Sequence, residues 1–300
     1  MDLVRHETAG ALLDVAGAYL AEREAEHNVL LGILATLRDQ PGIYTEPPYL
    51  ATVLDGERIA LVAVRTPPFG FVLSEPGVAE DLVRLSIDVL VADVAAVAPD
   101  LPTVLGPKAT VVPFVDRFSM ATGRPARLEM EERIYRLTRV VAPRPTPGSW
   151  RLAEERDRPL LLDWVVAFHE EASPPGSATV EAHRMVDPWI SREHRLAYLW
   201  EVDGRVVSLT GANARTPTGR RIGPVYTPPG ERGRGYAAAV TAAASQDQLD
   251  RGARYCVLLT NLANPTPNAV YQRIGYKPVS DVDQYRFDTG GGTEDRRGPR

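Results

Sequence analysis

The chain has 300 residues, 44% of them hydrophobic and 24% charged, with a formal net charge of -5. That is enough apolar side chain for a folded core and too little charge imbalance for a disordered chain. Lys and Arg (34) are interspersed among Asp and Glu (39) without a basic stripe, which argues against nucleic acid as the partner, because backbone recognition relies on clustered cations.

At this length two domains of roughly 150 residues each are expected. Asp2, Arg5, His6 and Glu7 precede a short stretch, Ala11 to Ala18, that Asp14 interrupts, unlike the basic start and long apolar run of a secretory signal. No apolar run reaches membrane-spanning length; in Leu82 to Ala98, Arg84, Asp88 and Asp93 mark the polar face of an amphipathic helix. The single cysteine, Cys256, rules out an intrachain disulfide and reads as a buried strand residue. A cytoplasmic location is the expectation.

Along the first half, Leu54 to Val64 holds an Asp-Gly turn followed by a strand, and Ala79 to Ala98 is a helix. Glu26-His27-Asn28 reads as structural, a cap or packing group ahead of an apolar run. A strand closes the half at Ile134-Tyr135-Arg136-Leu137. Three prolines and a glycine between Val141 and Ser149 then read as a stiff linker.

The second half begins with a strand at Trp150–Ala153, a helix at Arg158–Glu171, a loop at Ser173–Ser177 and a helix near Val180–Met185. Strands follow at Leu196–Val202, Arg205–Ala212 and Arg221–Thr227, then a helix from about Gly233 to Gly252, alanine-rich at its start. A strand at Tyr255–Leu262, a helix at Thr266–Ile274 and a strand at Asp283–Phe287 complete it, before a tail lacking large apolar residues. The order describes an α/β fold, a mixed sheet with helices on its faces.

A weak repeat links the halves. The Asp-Gly turn at 55–56 has a counterpart at 203–204, and the strand Ile134–Leu137 has one at Gln284–Phe287, at nearly the same offset. The expected organisation is a domain at 1–141, a linker at 142–149, a second domain at 150–288 and a tail at 289–300.

The segment Gly223-Pro224-Val225-Tyr226-Thr227-Pro228-Pro229-Gly230-Glu231-Arg232-Gly233-Arg234-Gly235-Tyr236-Ala237 carries the chemistry. It runs from a strand through a glycine-rich turn into a helix. The first helical amides have no intrahelical acceptor and the helix dipole favours negative charge there, so this geometry makes an anion site. Glycines 233 and 235 allow close backbone approach, and Arg232 and Arg234 can add charge-assisted bonds to phosphate. The pattern is neither Gly-x-x-x-x-Gly-Lys-Ser/Thr nor Gly-x-Gly-x-x-Gly, so nucleoside triphosphate and dinucleotide readings lose their support.

Arg232-x-x-Gly235-x-Ala237 after a strand resembles the acyl-coenzyme A pyrophosphate loop of the GNAT N-acetyltransferase superfamily, Gln/Arg-x-x-Gly-x-Gly/Ala. Downstream, Asn264 followed by Tyr271-Gln272-Arg273-Ile274-Gly275-Tyr276 is similar to the family's Asn-containing segment and Tyr-x-x-x-Gly-Phe/Tyr. The resemblance covers roughly Trp150 to Phe287 and implies two tandem GNAT-like domains, the first degenerate. Of the residues that match, Val225, Tyr226 and Thr227 would offer backbone groups to the pantetheine arm. Gly233, Arg234, Gly235, Tyr236 and Ala237, with Arg232, would hold the pyrophosphate; Asn264 would bond the pantetheine amide; and Tyr271 would protonate the departing thiolate.

The implied reaction is transfer of an acetyl or other small acyl group from acetyl-coenzyme A to a small-molecule amine. No nucleic acid, membrane or metal is involved, since His6, His27, His169, His183 and His194 show no ligand-like spacing. The family often places a glutamate on the strand before the loop as general base. Ile222 to Thr227 holds no acid or histidine, which leaves Glu201, His169, Glu170 and Glu171 as candidates. In the first half, Pro67 to Gly77 lacks the glycine pattern and is expected to bind no coenzyme. A non-catalytic acyl-coenzyme A sensor is the alternative. A transfer-RNA-dependent aminoacyl transferase is a more distant one, disfavoured by the acidic balance.

Overall fold

The computed structural model describes residues 1–172, 178–192 and 195–288. The expected loop at Ser173–Ser177, His194 and the tail from position 289 lie outside the described residues. In chain order the first ten elements are β1 (Asp2–Arg5), α1 (Ala9–Glu22), α2 (Asn28–Asp39), β2 (Tyr49–Asp55), β3 (Arg58–Arg65), β4 (Phe71–Leu73), α3 (Glu80–Val97), β5 (Thr103–Pro107), α4 (Lys108–Thr122) and β6 (Ala126–Leu137). Ten more repeat the same order: β7 (Ser149–Leu152), α5 (Arg158–Ala172), α6 (Ala178–Ser191), β8 (Leu196–Val202), β9 (Arg205–Arg215), β10 (Gly219–Tyr226), α7 (Tyr236–Asp250), β11 (Tyr255–Asn261), α8 (Pro265–Arg273) and β12 (Lys277–Phe287). The fold is a tandem duplication of a mixed α/β domain.

The compact units do not follow the linear halves. Unit 1 comprises Met1–Arg133 with Ser280–Arg300, and unit 2 comprises Ile134–Val279. The sheet of unit 1 runs β1-β2-β3-β4-β5 and takes residues 280–287 of β12, and that of unit 2 runs β11-β10-β9-β8-β7 and takes residues 134–137 of β6. Each linear half thus gives the end of its closing strand to the other unit. Tyr135-Arg136 and Tyr285-Arg286 hold the same places in the two strand ends, each followed by a buried apolar residue, Leu137 or Phe287. The proline-rich stretch lies along unit 2: the Val141 amide donates to the Ile274 carbonyl at 2.9 Å and the Trp200 indole to the Pro147 carbonyl at 2.8 Å. Helix α6 extends well beyond the expected Val180–Met185, through Pro188 to Ser191, and β12 begins six residues before the expected Asp283.

In unit 1 one apolar layer packs α3 and α4 on the sheet through Ile87, Leu90, Val94, Phe114 and Phe118. A second packs α1 and α2 on the other face through Leu12, Leu20, Leu30 and Leu34. Fully burying each such side chain contributes about 1.5–3 kcal/mol relative to leaving it exposed. Strand β4 pairs in parallel with β5 only at Phe71–Val104 and Val72–Leu105, and polar groups fill the space beyond. The Thr110 hydroxyl donates to the Ser74 carbonyl at 3.1 Å, the Glu75 amide donates to His27 Nε2 at 3.2 Å, and the Ser280 hydroxyl donates to the Glu75 carboxylate at 3.2 Å. His27 is a packing residue: its Nδ1 donates to the Leu20 carbonyl, and burial holds its pKa below the usual imidazole value. The first turn of α3 carries Glu80 and Asp81, so this helix N-terminus already holds two negative charges and would repel a phosphate.

A Cβ at Gly77 would overlap the Ile59 carbonyl and lie 2.8 Å from the Tyr19 ring. Backbone is the obstacle, and it cannot rotate away. Gly77→Ala is expected to cost about 1–3 kcal/mol, read as a lower urea midpoint with an unchanged slope. An unchanged midpoint would show that β3 and the segment after β4 yield freely.

Candidate active site

In unit 2 the strands β10 and β11 pair in parallel only from Gly219–Tyr255 to Arg221–Val257. Beyond that the two strands part, β10 running on to Tyr226 and β11 to Asn261. Strand β10 remains held on its other edge, where Val225 and Tyr226 pair with Thr210 and Leu209 of β9 across two register shifts. Side chains brace this irregular strand. The Trp189 indole donates to Asn213 Oδ1 at 2.7 Å, the Asn213 amide donates to the Gly223 carbonyl, and the Ser208 hydroxyl donates to the Tyr226 carbonyl at 3.1 Å. The result is a V-shaped opening whose β10 edge presents backbone donors and acceptors.

The glycine-rich turn sits at the mouth of that opening. Gly233 (φ 77°) and Gly235 (φ 90°) both adopt left-handed backbone, and Gly235 caps α7 without a side-chain bond. The helical ladder starts with the Ala239 amide donating to the Gly235 carbonyl at 3.0 Å. The amides of residues 233–238 have no acceptor among the described residues, and the first turn of α7 contains no acid. These donors and the dipole they terminate suit a diphosphate. The small side chains of α7 let it lie close on the sheet, with Ala239, Val240, Ala242 and Ala244 buried. Arg234 pairs with Glu231 at 3.2 Å, while Arg232 turns toward α5.

At the far side of the opening, Asn264 caps α8 with its backbone, and its side-chain amide has no partner among the described residues. Asn268 bonds the carbonyls of Asn261 and Asn264 at 2.9 and 2.7 Å, fixing the turn between β11 and α8. Tyr271 lies one helical turn further. Its ring is 9% exposed and packs 6.1 Å from that of Tyr276, and burial pushes its phenol well above the usual tyrosine value. The phenol therefore stays protonated at neutral pH, as a proton donor must. The Tyr135 hydroxyl donates to Asn268 and accepts from Gln272, both at 3.0 Å, and so positions α8 around Tyr271. Tyr135 comes from β6, the strand exchanged out of the first linear half.

Two of the expected base candidates, Glu201 and Glu171, are held in ion pairs. Glu201 accepts from Arg151 at 2.7 Å, and Arg151 also grips Asp157, so Glu201 belongs to an ion-pair network under β7. His169, Glu170 and Glu171 occupy the last turn of α5, and both Glu171 oxygens accept from Arg232, at 2.8 and 2.7 Å. Cys256 is fully buried on β11 and burial raises its thiol to about 12, which leaves it inert. Among the described residues no group of three or more metal-ligating side chains converges, and no helix is long and apolar enough to cross a membrane.

The profile of the acetyltransferase (GNAT) family matches residues 159–276. Residues 159–276 are a GNAT-family domain. Solved structures share the fold over nearly the whole chain. A GCN5-related N-acetyltransferase from Sphaerobacter thermophilus is 19% identical, with 95% of each chain covered and a TM-score of 0.56. A Drosophila protein is 10% identical, covering 96% of this chain and 99% of that one at a TM-score of 0.67. A tandem GNAT protein from the clavulanic acid biosynthesis pathway is 13% identical, covering 98% and 99% at 0.52. No curated protein matches the sequence.

The GNAT match contains the opening, the loop and α8, whereas Tyr135 lies outside it. Sequence reasoning singled out the loop, Asn264 and Tyr271. It missed Tyr135, Asn213, Ser208 and Asn268, whose hydrogen bonds hold those parts in place. The polar residues Ser208, Thr210 and Asn213 inside one strand are the local signal that could have flagged two of them.

Proposed function

We propose that unit 2 binds acetyl-coenzyme A in the opening between β10 and β11 and transfers the acetyl group to a primary amine. The observation that carries this reading is the run of amides at 233–238 without acceptors at the acid-free N-terminus of α7, set directly beside an opened parallel pair. Acetyl-coenzyme A supplies the activated acyl group. The amides of Gly233, Arg234, Gly235, Tyr236 and Ala237 bind its diphosphate, the β10 edge at Val225, Tyr226 and Thr227 orients the pantetheine arm, and the Asn264 amide bonds it. The neutral amine attacks the thioester carbon, the carbon–sulfur bond breaks, Tyr271 holds a proton at its hydroxyl for the leaving sulfur, and the proton shed by the new amide nitrogen passes to solvent. Unit 1, its equivalent space filled by Ser74, Glu75, His27 and Thr110, takes no coenzyme.

Thiol release with acetyl-coenzyme A and a panel of primary amines tests the reading, with tertiary amines as controls. Amine-dependent release is expected. Coenzyme binding with no release across the panel would instead favour a sensor, a reading that the lack of an acid or histidine on Ile222–Thr227 supports.

A further inference from the structure

Helix α8 carries both groups assigned to the thioester end of the coenzyme, Asn264 at its cap and Tyr271 within it, yet it is poorly equipped to hold them alone. It is nine residues long, with prolines at 265 and 267, and a helix this short is marginal by itself. Of its nine residues only Asn268 and Tyr271 are buried. Tyr271 packs among apolar and aromatic side chains, so the polar fixing of the helix falls to Asn268. Both ends of that amide are engaged: Nδ2 donates to the Asn261 and Asn264 carbonyls at 2.9 and 2.7 Å, and Oδ1 accepts from the Tyr135 hydroxyl at 3.0 Å. The same hydroxyl accepts from Gln272 Nε2 at 3.0 Å, one residue beyond Tyr271. Tyr135 is 1% exposed, its ring locked in the same apolar layer as Tyr271, so its oxygen is a fixed point spanning the turn from Asn268 to Gln272. It lies outside the family-matched residues 159–276.

We propose that Tyr135 is a positioning residue for acyl transfer: its one hydroxyl, acting through Asn268 and Gln272, fixes the spacing between the Asn264 amide on the pantetheine arm and the Tyr271 phenol at the sulfur. The inference rests on the acetyl-transfer reading above. It adds that residues 159–276 are insufficient for full turnover, because the group that sets their proton donor comes from β6. A proton donor must stand within hydrogen-bond reach of the atom it protonates, and a misplacement of about 1 Å lowers a rate by about 100-fold. Loss of the Tyr135 hydroxyl leaves the Asn268 bonds to the turn intact and frees the depth at which α8, and Tyr271 with it, sits against the sheet.

The test is a double-mutant cycle in the full chain, read as thiol release from acetyl-coenzyme A with whichever primary amine of the panel the parent uses fastest. Tyr135→Phe, Tyr271→Phe and the pair are compared, with calorimetry against coenzyme A and circular dichroism as controls. Tyr135→Phe is expected to lower turnover at least about tenfold and to weaken coenzyme A binding by no more than about threefold. In the Tyr271→Phe background the same change should cost less than about twofold, because a group that acts through Tyr271 has nothing left to position. Gln272→Met, at an exposed position, removes one of the two bonds and carries the test should Tyr135→Phe fail to fold; its expected loss, about threefold, should likewise vanish in Tyr271→Phe. A residue needed only for stability would lower the urea midpoint and leave the turnover of the folded chain unchanged. Parent-like turnover in the folded variants, or equal losses in both backgrounds, would overturn the positioning role and leave acetyl transfer standing. A parent chain that binds coenzyme A and releases no thiol with any amine would sink the transfer reading and the positioning role with it.

Discussion

Gly235→Glu removes coenzyme A binding, with the dissociation constant raised by about 100-fold or more, equivalent to roughly 2.7 kcal/mol. Two effects add. Gly235 holds φ 90° at the cap of α7, a region that costs an L-residue roughly 1–2 kcal/mol, so the turn distorts and its amides no longer converge. The new carboxylate also stands at the N-terminus where the diphosphate's charge is to be held, replacing attraction with repulsion. A Cβ at this position would come 3.0 Å from the Thr146 hydroxyl, a flexible neighbour that can shift, so global folding should survive. Calorimetry against coenzyme A, with circular dichroism as a fold control, reads the effect. Unchanged affinity in a folded variant would remove the loop from the site.

Tyr271→Phe lowers turnover by about 100-fold or more while coenzyme affinity stays within about twofold, the size expected for loss of a general acid. The ring packs in a layer with Tyr135, Ile274 and Tyr276, and phenylalanine preserves it. The hydroxyl has no partner among the described residues, so its removal strands no buried group and stability should hold. A variant with the parent's turnover would reduce Tyr271 to a packing residue. Lower turnover accompanied by equally weakened coenzyme binding would point to a binding role.

The backbone geometry of the loop is local in sequence, and that is why it could be read. A strand, two glycines in left-handed backbone and an alanine-rich helix follow one another within a short span, and each obeys a backbone rule independent of the rest of the molecule. The duplication was legible for a similar reason, since the Asp-Gly turns at 55–56 and 203–204 join corresponding hairpins, β2–β3 and β8–β9. The exchange of β6 and β12 was not legible. Tyr135 and Tyr285 sit in nearly interchangeable strands, and no local preference says which sheet each should join. The role of Tyr135 beside Asn268 and Gln272 follows from that pairing and was hidden with it. The fate of Glu171 was also hidden: as one of three polar residues at a helix end it looked like a solvated terminus, and only the return of Arg232 across the mouth of the opening gives it a partner.

The same comparison sets the two copies of one fold apart. In unit 2 the strands part and leave donors free; in unit 1 Ser74, Glu75, Thr110 and His27 satisfy one another in the corresponding space, and Glu80 and Asp81 occupy the helix N-terminus. The central claim, that one unit and not the other receives the coenzyme's diphosphate, is tested most directly by titrating the full chain with coenzyme A in a calorimeter. One site per chain, competed by acetyl-coenzyme A and lost in Gly235→Glu, is the expected result. Two sites per chain, or no heat of binding at all, would contradict it.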